Sequence, residues 1–332
     1  MSDNNPNIGA VIIGRNEGER LIACAKSLLG NVPHLVYVDS GSTDGSVERM
    51  REMGVAVVSL DMSKPFTAAR GRNAGFERLL EIAPDLEYAQ FVDGDCSVQP
   101  GWIDCALTFM ENNHDVAAVC GRRREIYPQA SIYNRLCDIE WNTAIGEASA
   151  CGGDAIYRTT IFKEVGGFNS GFIAGEEPEL CYRIRALGQK IWRLDAEMTS
   201  HDADMTQFSQ WWKRMQRSGY AFALGAYTHG RSEEKFWVRE SVSALIWGGM
   251  IPVFIGVTAL LWPGALLLLL IYPLQWLRIV LKSTAEESLA TPKIKAAWAW
   301  FLVLGKFAEL TGILKFARDK LFNLRANIIE YE

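Results

Sequence analysis

The first 120 residues alternate short apolar runs with segments of helical periodicity. The apolar runs are continuous, which is typical of strands that are buried on both faces of a sheet. The predicted strands are 10–13, 35–38, 55–60, 88–92 and 116–119, and the predicted helices are 19–29, 46–53, 68–82 and 102–112. Because helical segments separate these runs, the sequence predicts an α/β fold with a mainly parallel, Rossmann-like sheet.

The pattern changes after residue 240, because residues 241–277 contain no acidic, basic or histidine side chain. A transmembrane helix needs about 20 apolar residues, so this stretch predicts two short crossings. Their connection would be Trp262, Pro263 and Gly264. Lysine and arginine flank the stretch but not its tip, which by the positive-inside rule places both outer ends in the cytoplasm. A buried hairpin of a soluble protein and a re-entrant hairpin are the alternatives.

Residues 294–321 interleave aromatic side chains with lysine, arginine and glutamate. This pattern predicts an amphipathic helix that lies at the membrane interface, and a third crossing is the alternative. The predicted organisation is therefore a domain over residues 1–225, followed by a membrane-associated helical region over 226–332. The hydrophobic hairpin of that region covers about residues 241–281.

Composition narrows the class of protein. The chain has 332 residues, enough for one large domain or a domain with an appendage. Its net charge of -5 argues against a nucleic-acid partner. The seven cysteines form no CxxC pair and no secretory signal is recognised before them, so we expect reduced thiols. The four histidines show no zinc-ligand spacing.

Asp93, Gly94 and Asp95 follow the apolar run 88–92 directly. Carboxylates at the carboxyl end of a strand form a natural site for a hard divalent cation that holds phosphate oxygens. Asp-Gly-Asp is also common turn chemistry, in which aspartate caps backbone amides and glycine takes a positive φ. The triplet alone leaves both interpretations open.

Two further strand ends deliver polar side chains to the same predicted edge of the sheet. Arg15 and Glu17 follow the first strand, and Asp39 and Asp44 follow the second. The carboxyl ends of the strands are where open α/β sheets bind ligands. Asp39 is suited to accept hydrogen bonds from a ribose or a base, whereas Asp44 is suited to cap the next helix.

Arg70 and Arg72 open the third predicted helix. Guanidinium groups and the helix dipole both favour phosphate at such a position. The alternative is a solvated helix start, because exposure is the usual fate of an arginine.

Two more motifs lie downstream, namely Gly166-Gly167-Phe168 and the segment 175–183, which reads Gly-Glu-Glu-Pro-Glu-Leu-Cys-Tyr-Arg. With residues 14–17, 38–45, 69–75 and 93–95, they resemble the family 2 glycosyltransferases over roughly residues 8–220. Enzymes of that family have the GT-A fold and transfer a sugar from a nucleotide sugar with inversion. The resemblance implies a GT-A nucleotide-sugar-binding domain, a Mg²⁺ or Mn²⁺ cofactor and a nucleotide-sugar donor, with UDP-sugars the commonest in the family.

The resemblance also implies roles for the residues at the strand ends. Glu17 and Asp39 would hold the nucleoside, Arg72 would lie beside the nucleotide, and Asp95 would be the main metal ligand, with Asp93 toward the ribose. The nucleotide-binding set is then Arg15, Glu17, Asp39, Arg72 and Asp93, and the metal set is Asp95, Asp93 and His201. A bound metal would neutralise the charge that develops on the leaving diphosphate.

Glu176 and Glu177 are the candidates for the general base, because the acceptor hydroxyl must lose a proton as it attacks. The family commonly reads Glu-Asp here and the aspartate is usually assigned as the base. Glu177 replaces that aspartate, so either glutamate could act. The alternative is stabilisation of the dipole of a helix predicted over 179–187, worth about 0.3–1 kcal/mol.

His201 follows a strand that is predicted over 191–194. GT-A enzymes often have a histidine at this point, so it is interpreted as a metal ligand or a donor to the diphosphate. An ordinary structural histidine is the alternative.

The segment 207–220 is amphipathic and carries Trp211, Trp212, Arg214 and Arg217. Its cations could hold the donor diphosphate or a lipid phosphate of the acceptor, and its tryptophans could stack on sugar or anchor at headgroups. A helix packed on the core is the alternative. The segment takes the place of the Gln-x-x-Arg-Trp element of processive synthases without matching it, which weakens a polymerase interpretation.

The sequence therefore predicts an inverting glycosyltransferase at the inner membrane, with its catalytic domain facing the cytoplasm. It would transfer one sugar to a lipid-linked saccharide or a polyprenyl phosphate in exopolysaccharide or envelope assembly. A processive synthase and an inactive nucleotide-sugar-binding scaffold are the alternatives, and a homo-oligomer is left open.

Overall fold

The computed structural model describes residues 7–282 and 291–324. These residues form two compact units, the first from 7–130 with 140–204 and the second from 131–139 with 205–282 and 291–324. The remaining parts of the two predicted domains, at 1–6, 283–290 and 325–332, lie outside the described residues. A functional boundary at residue 225 stays a prediction.

The first unit is built on one mixed sheet. Its strands are β1 (Ile8–Gly14), β2 (His34–Asp39), β3 (Ala56–Ser59), β4 (Tyr88–Asp93), β5 (Cys96–Val98), β6 (Val116–Glu125), β7 (Gly146–Glu147), β8 (Ala155–Arg158) and β9 (Lys190–His201). The helices up to residue 186 are α1 (Glu19–Leu28), α2 (Ser46–Glu52), α3 (Ala68–Ile82), α4 (Trp102–Asn112), α5 (Ile132–Glu140), α6 (Thr159–Glu164) and α7 (Glu176–Ala186). Most of α5 belongs to the second unit.

The strand order is β3-β2-β1-β4-β8-β6-β9-β5, with β7 paired to β9. The pairs β1–β2, β1–β4, β2–β3 and β6–β9 are parallel, whereas β8, β5 and β7 run antiparallel to their neighbours. The parallel part predicted from the sequence is present. The three antiparallel strands were not predicted, because each is too short to give a periodic apolar signal.

The continuous apolar runs of β1, β2, β4 and β6 become the buried centre of the sheet, as predicted. The run predicted over 55–60 differs, because β3 is an edge strand and is only half-buried. Val11, Val38 and Phe91 are at most 1% exposed. Helix α3 packs on β1 and β2 at Gly75, where a Cβ atom would lie 2.3 Å from Val11 Cγ1 and 2.9 Å from Val38 Cγ2. This close approach brings the amino-terminal end of α3 beside the carboxyl ends of the strands.

The second unit is helical. Its elements after α5 are α8 (Phe208–His229), α9 (Val238–Ala244), a π-helical turn (Leu245–Met250), α10 (Ile251–Leu261), a 3-10 segment (Pro263–Leu270), α11 (Ile271–Lys282) and α12 (Pro292–Leu321). Within the described parts of the chain, three stretches are long and apolar enough to cross a membrane, namely Val238–Leu261, Pro263–Lys282 and Pro292–Leu321. Trp262 separates the first two, at the predicted tip of the hairpin.

Side chains near that tip carry the character expected of lipid-facing residues. Leu260 and Leu261 are 85% and 88% exposed. The span Pro292–Leu321 qualifies by length and composition, which favours the third crossing that was the alternative. An interfacial position of this helix stays a prediction.

Replacing Gly75 by alanine is expected to lower the free energy of unfolding by roughly 1–3 kcal/mol, because the new methyl group overlaps two buried valines. Denaturant unfolding of the purified protein in detergent measures this difference. Gly256→Ala is the matched control, since Gly256 is also helical and a Cβ atom there meets nothing within 4 Å. Equal stabilities of the two variants would contradict the close approach.

Candidate functional site

The loops after β1, β2 and β4 are joined by main-chain hydrogen bonds. Gly94 N–H donates to the Ile13 carbonyl at 2.8 Å, and Ser40 N–H donates to the Gly14 carbonyl at 3.2 Å. The polar side chains that follow these strands therefore share one edge of the sheet, as predicted.

Gly94 is required by close packing and not by its backbone conformation. Its φ lies outside the left-handed region, so the positive φ expected of a simple Asp-Gly-Asp turn is absent at this residue. A Cβ atom on Gly94 would lie 3.1 Å from Glu17 Cγ and 3.1 Å from the Ile13 carbonyl oxygen. The glycine thus lets the loop carrying Asp93 and Asp95 approach the loop after β1.

Asp39 anchors its own turn. Its carboxylate accepts hydrogen bonds from Tyr37 Oη at 3.0 Å, Gly41 N at 3.0 Å and Ser42 N at 3.1 Å, and the residue is 4% exposed. Asp44 accepts from Ser46 N at 3.1 Å but lies one residue before the N-cap of α2, which is Gly45, so it contacts the helix start without being its cap. The predicted contact of Asp39 with a nucleoside stays a prediction.

The two predicted site residues after β1 differ in environment. Arg15 is exposed, whereas the Glu17 side chain is 12% exposed and pairs with Arg20 at 2.8 Å. Both remain at the edge of the sheet, and their nucleotide-binding roles stay predictions.

Arg72 is buried, so it is not a solvated helix start. It forms the centre of a group of ion pairs, called the hub below. Its Nη2 lies 2.7 Å from Asp93 Oδ1 and 3.5 Å from Glu177 Oε1, and its Nη1 donates to Glu176 Oε1 at 2.8 Å. Burial opposes the charge, but the three carboxylates raise the pKa of Arg72 above its ordinary value. Arg70 instead donates to main-chain carbonyls of the preceding loop.

The Gly166-Gly167-Phe168 motif supports this hub. Phe168 exchanges two hydrogen bonds with Asn73, at 2.7 and 2.9 Å, and its ring lies 5.4 Å from the Arg72 guanidinium carbon. The ring also meets Phe91 edge-on at 5.2 Å. The motif therefore fixes the guanidinium between the core and the carboxylates.

The two aspartates of the triplet face different partners. Asp93 faces Arg72, while Asp95 Oδ2 lies 3.1 Å from His201 Nε2. Burial alone would raise the pKa of Asp95, but His201 holds the pKa of that carboxyl at about 2. Burial raises the pKa of Asp93, although Arg72 opposes this effect. The structure thus pairs two of the three predicted metal ligands.

Glu176 and Glu177 lie in the first turn of α7, which begins at Glu176 and not at 179 as predicted. Proline is tolerated in the first turn, so Pro178 does not delay the start of the helix. The Glu176 and Glu177 side chains are 3% and 18% exposed. Burial and the Glu176 carboxylate raise the pKa of Glu177 to about 7, whereas a helix dipole alone would lower it. Glu177 is therefore the more exposed of the two glutamates and has a raised pKa, and its role as the general base stays a prediction.

Two residues of this edge were missed by the sequence analysis. Asp154 is fully buried, accepts from Asp93 N at 3.3 Å and Thr199 Oγ1 at 2.7 Å, and lies 2.8 Å from Arg123 Nη2. Arg123 is also 3.8 Å from Asp93 Oδ2. Arg123 could have been found, because it follows the predicted strand 116–119 as Asp93 follows 88–92. Asp154 precedes β8, whose pairing between β4 and β6 no local pattern shows.

Trp141 packs against both Arg123 and His201. Its ring centroid lies 5.5 Å from the Arg123 guanidinium carbon and 4.8 Å from the His201 ring, at an interplanar angle of 82°. It thereby fixes the orientation of both side chains.

Residues 10–166 match the family model described as Glycosyl transferase family 2. These residues form a family 2 glycosyltransferase domain. The predicted family is thereby confirmed for this part of the chain.

Relatives of this glycosyltransferase are distant. It is 26% identical over 195 residues to the succinoglycan biosynthesis protein ExoA of Rhizobium meliloti (strain 1021), a match that covers 54% of this chain and 58% of ExoA. It resembles the structure of the mannosyltransferase PcManGT from Pyrobaculum calidifontis in complex with GDP-Man and Mn²⁺, with a TM-score of 0.58, 15% identity and coverage of 95% and 88%. GalNAc-T7 with UDP, GalNAc and Mn²⁺ gives a TM-score of 0.50 and 15% identity over 73% of this chain and 55% of that one. These similarities confirm the predicted GT-A fold.

The donor set of the glycosyltransferase fits a divalent ion. Ligand atoms of Asp95, Cys96 and His201 all lie within 4.8 Å of one another. Carboxylate oxygen suits Mg²⁺ and Mn²⁺, and imidazole suits several transition metals. Asp95 Oδ2 and His201 Nε2 are 3.1 Å apart, a separation close to that of two ligands of one ion.

The predicted acceptor or diphosphate residues belong to α8 in the second unit. Trp211 is 3% exposed and meets Phe301 edge-on at 4.8 Å, which matches the alternative of a helix packed on its core. Trp212, Arg214 and Arg217 are half-buried on the same helix. Their contacts with an acceptor or a diphosphate stay predictions.

Proposed function

We propose that this chain is a metal-dependent, inverting glycosyltransferase that transfers a single sugar from a nucleotide sugar to a lipid-linked saccharide or a polyprenyl phosphate. The observation that carries the proposal is the continuous chain of contacts at one sheet edge. Glu177 contacts Arg72 and Arg72 contacts Asp93, two residues before Asp95, which pairs with His201. A proton acceptor and a metal-binding pair are thus held in one polar network.

The proposed role of each residue follows from its charge. A bound Mg²⁺ or Mn²⁺ supplies Lewis-acid stabilisation of the leaving diphosphate. Asp95 and His201 would hold that ion, and Arg72 keeps Asp93 and the glutamates in place. Glu177 accepts the proton of the acceptor hydroxyl as the hydroxyl oxygen attacks C1, and the bonding electrons leave with the nucleoside diphosphate. Attack from the face opposite the diphosphate inverts C1.

The proposed donor is a nucleoside diphosphate sugar, with UDP favoured. The two similar structures support this class, since one contains GDP-Man and the other UDP, each with Mn²⁺. The role of ExoA in succinoglycan biosynthesis supports exopolysaccharide or envelope assembly as the pathway.

Membrane attachment supports the proposed acceptor. A lipid-borne acceptor stays in the plane to which the apolar helices would hold the enzyme. Lys235 and Arg239 precede the hydrophobic stretch and Arg278 and Lys282 end it, so we place the catalytic domain on the cytoplasmic side of the inner membrane.

The proposed function is tested first by ligand-dependent thermal stability. UDP-, GDP- and dTDP-sugars are added to the purified protein with and without Mn²⁺. One base is expected to stabilise the protein most, and only with the metal, by about 2.7 kcal/mol at a hundredfold excess over Kd. Inorganic phosphate with Mn²⁺ is the control. Stabilisation by none of the sugars would contradict the proposal.

Product length then separates the enzyme classes. A single added sugar on a lipid-linked acceptor is expected. A ladder of products would instead identify a processive synthase, and donor binding without turnover would identify a scaffold.

A further inference from the structure

The candidate metal site contains a thiol that the proposed reaction does not use. Cys96 and His201 are directly opposed in the antiparallel pairing of β5 and β9. Opposed residues of such a pair project from the same face of the sheet. Cys96 is fully buried, and its Sγ lies 3.5 Å from Asp95 Oδ1. The fold therefore brings sulfur, oxygen and nitrogen donors to one point.

The spacing of these donors is close to that of the ligands of tetrahedral zinc. Zn²⁺ binds thiolate sulfur at about 2.3 Å, and imidazole nitrogen and carboxylate oxygen at about 2.0–2.2 Å, so neighbouring ligand atoms are about 3.2–3.8 Å apart. The observed separations are 3.5 Å between Cys96 Sγ and Asp95 Oδ1 and 3.1 Å between His201 Nε2 and Asp95 Oδ2. The two separations involve different oxygens of Asp95, and one ligand atom from each residue lies within 4.8 Å of the other two, so the side chains would move closer together on binding. A fourth position remains for water or a phosphate oxygen.

The charges around the cluster of Asp95, Cys96 and His201 allow a cation to bind there. Arg123 is the nearest fixed positive group, and its charge is balanced by Asp154 at 2.8 Å. The buried Nδ1 of His201 has no hydrogen-bond partner among the residues that the structure describes. The imidazole is therefore held by its Asp95 contact and by Trp141, both of which leave the ring facing the cluster.

A thiol changes which metals such a site prefers. Magnesium and manganese favour carboxylate, carbonyl and water oxygens, whereas thiolate sulfur favours zinc. An aspartate and a histidine alone discriminate weakly between Mn²⁺ and Zn²⁺, and a third donor of sulfur adds affinity mainly for zinc. The metal preference of this chain therefore depends on Cys96.

We propose that Asp95, Cys96 and His201 form a Zn²⁺ site at which zinc displaces Mn²⁺ or Mg²⁺, and that Cys96 sets this selectivity. The inference deepens the proposed function and rests on its assignment of Asp95 and His201 to the metal. As the Zn–S bond forms, the thiol proton passes to solvent. Three protein ligands would leave a tetrahedral ion only one free position for a diphosphate oxygen, so zinc bound in this way is expected to inhibit transfer.

Metal affinity measured without nucleotide tests the inference. Zn²⁺ binding to the full chain in detergent is followed by competition with a chromophoric chelator, and Mn²⁺ binding by the paramagnetic resonance of the free ion. Cys96→Ser is expected to lower the ratio of zinc to manganese affinity at least about tenfold, the smallest loss typical of even an outer-shell change at a metal site. Cys96→Ala replaces it if serine destabilises the fold.

Cys24→Ser is the matched control, because Cys24 is equally buried but its Sγ donates to the Asp93 carbonyl at 3.6 Å. This variant is expected to keep the wild-type ratio. Cd²⁺ is expected to give a sulfur-to-metal charge-transfer band in the wild type and in Cys24→Ser, and to lose it in the Cys96 variants. An unchanged ratio, or a band that survives the loss of Cys96, overturns the inference.

These outcomes are independent of sugar transfer, because no nucleotide sugar is present. Failure of every donor to stabilise the protein contradicts the proposed function and leaves a zinc result intact. Donor binding combined with an unchanged metal ratio contradicts only the zinc inference.

Discussion

Asp95→Asn is expected to abolish metal-dependent release of nucleotide from the donor. His201 holds the pKa of the Asp95 carboxyl at about 2, so the wild-type ligand is an anion at every working pH, whereas asparagine is neutral. The loss of one electrostatic stabiliser of a leaving group typically lowers kcat by about 10²- to 10³-fold, and weaker metal binding adds to this. A coupled assay for released nucleoside diphosphate, run over a range of Mn²⁺ concentrations, separates the two effects.

Asp104→Asn is the matched control for this prediction. Asp104 lies on the exposed face of α4, so the same change of charge is expected to leave nucleotide release unaffected. Undiminished release by Asp95→Asn at low Mn²⁺ would rule out Asp95 as the main metal ligand. A loss that excess Mn²⁺ fully restores would assign Asp95 to binding of the ion alone.

Glu177→Gln is expected to lower kcat by about 10²- to 10⁴-fold while donor binding is retained, because glutamine cannot accept the acceptor proton. The pKa of Glu177 is about 7, and only the ionised form is a base. The wild-type rate should therefore fall as the pH drops through about 7 and reach a plateau above it. Initial rates measured across the pH range give this acidic limb of the pH–rate profile. The profile of Glu177→Gln should lack that limb.

Two further variants identify which glutamate acts. Glu177→Asp restores the residue that the family commonly has, so it should retain activity and the acidic limb of the profile. The Glu176 carboxylate is buried and accepts a hydrogen bond from Arg72 at 2.8 Å, and its charge raises the pKa of Glu177. Glu176→Gln should therefore destabilise the hub and shift that limb to lower pH without abolishing it. A near-normal rate for Glu177→Gln would move the catalytic role to Glu176 or to another group.

The parts of the site that the sequence predicted are those with a local signal. β1, β2 and β4 are continuous apolar runs, and the side chains that end them can only lie at one edge once the strands are parallel. The positions of Glu17, Asp39 and Asp95 at that edge followed from this. The resemblance to a family added Glu177 and His201, which no periodicity would have brought there.

The parts that were missed depend on pairing between distant segments. β5 and β9 are far apart in sequence, and only their register places Cys96 opposite His201. The four histidines show no zinc spacing along the chain, yet one of them meets a cysteine and an aspartate across this ladder. Asp154 was missed for a similar reason, because it reaches Asp93 only after β8 inserts between β4 and β6.

Arg72 also had no local signal for its final environment. The sequence placed it at a helix start, where exposure is usual, and its burial follows from the packing of α3 at Gly75 and the arrival of α7. The guanidinium is consequently surrounded by carboxylates from β4 and α7. A single side chain from one helix thus joins groups that are far apart in the chain.

That arrangement couples donor binding to the ionisation of the proposed general base. Arg72 contacts Asp93 on the proposed donor side and Glu177 on the proposed acceptor side, so a change of charge at either carboxylate changes the electrostatic energy of the other. Linkage is reciprocal: the factor by which a bound donor changes the proton affinity of Glu177 equals the factor by which ionisation of Glu177 changes donor affinity. The Kd of the donor should therefore vary with pH near the pKa of a residue that the donor need not touch.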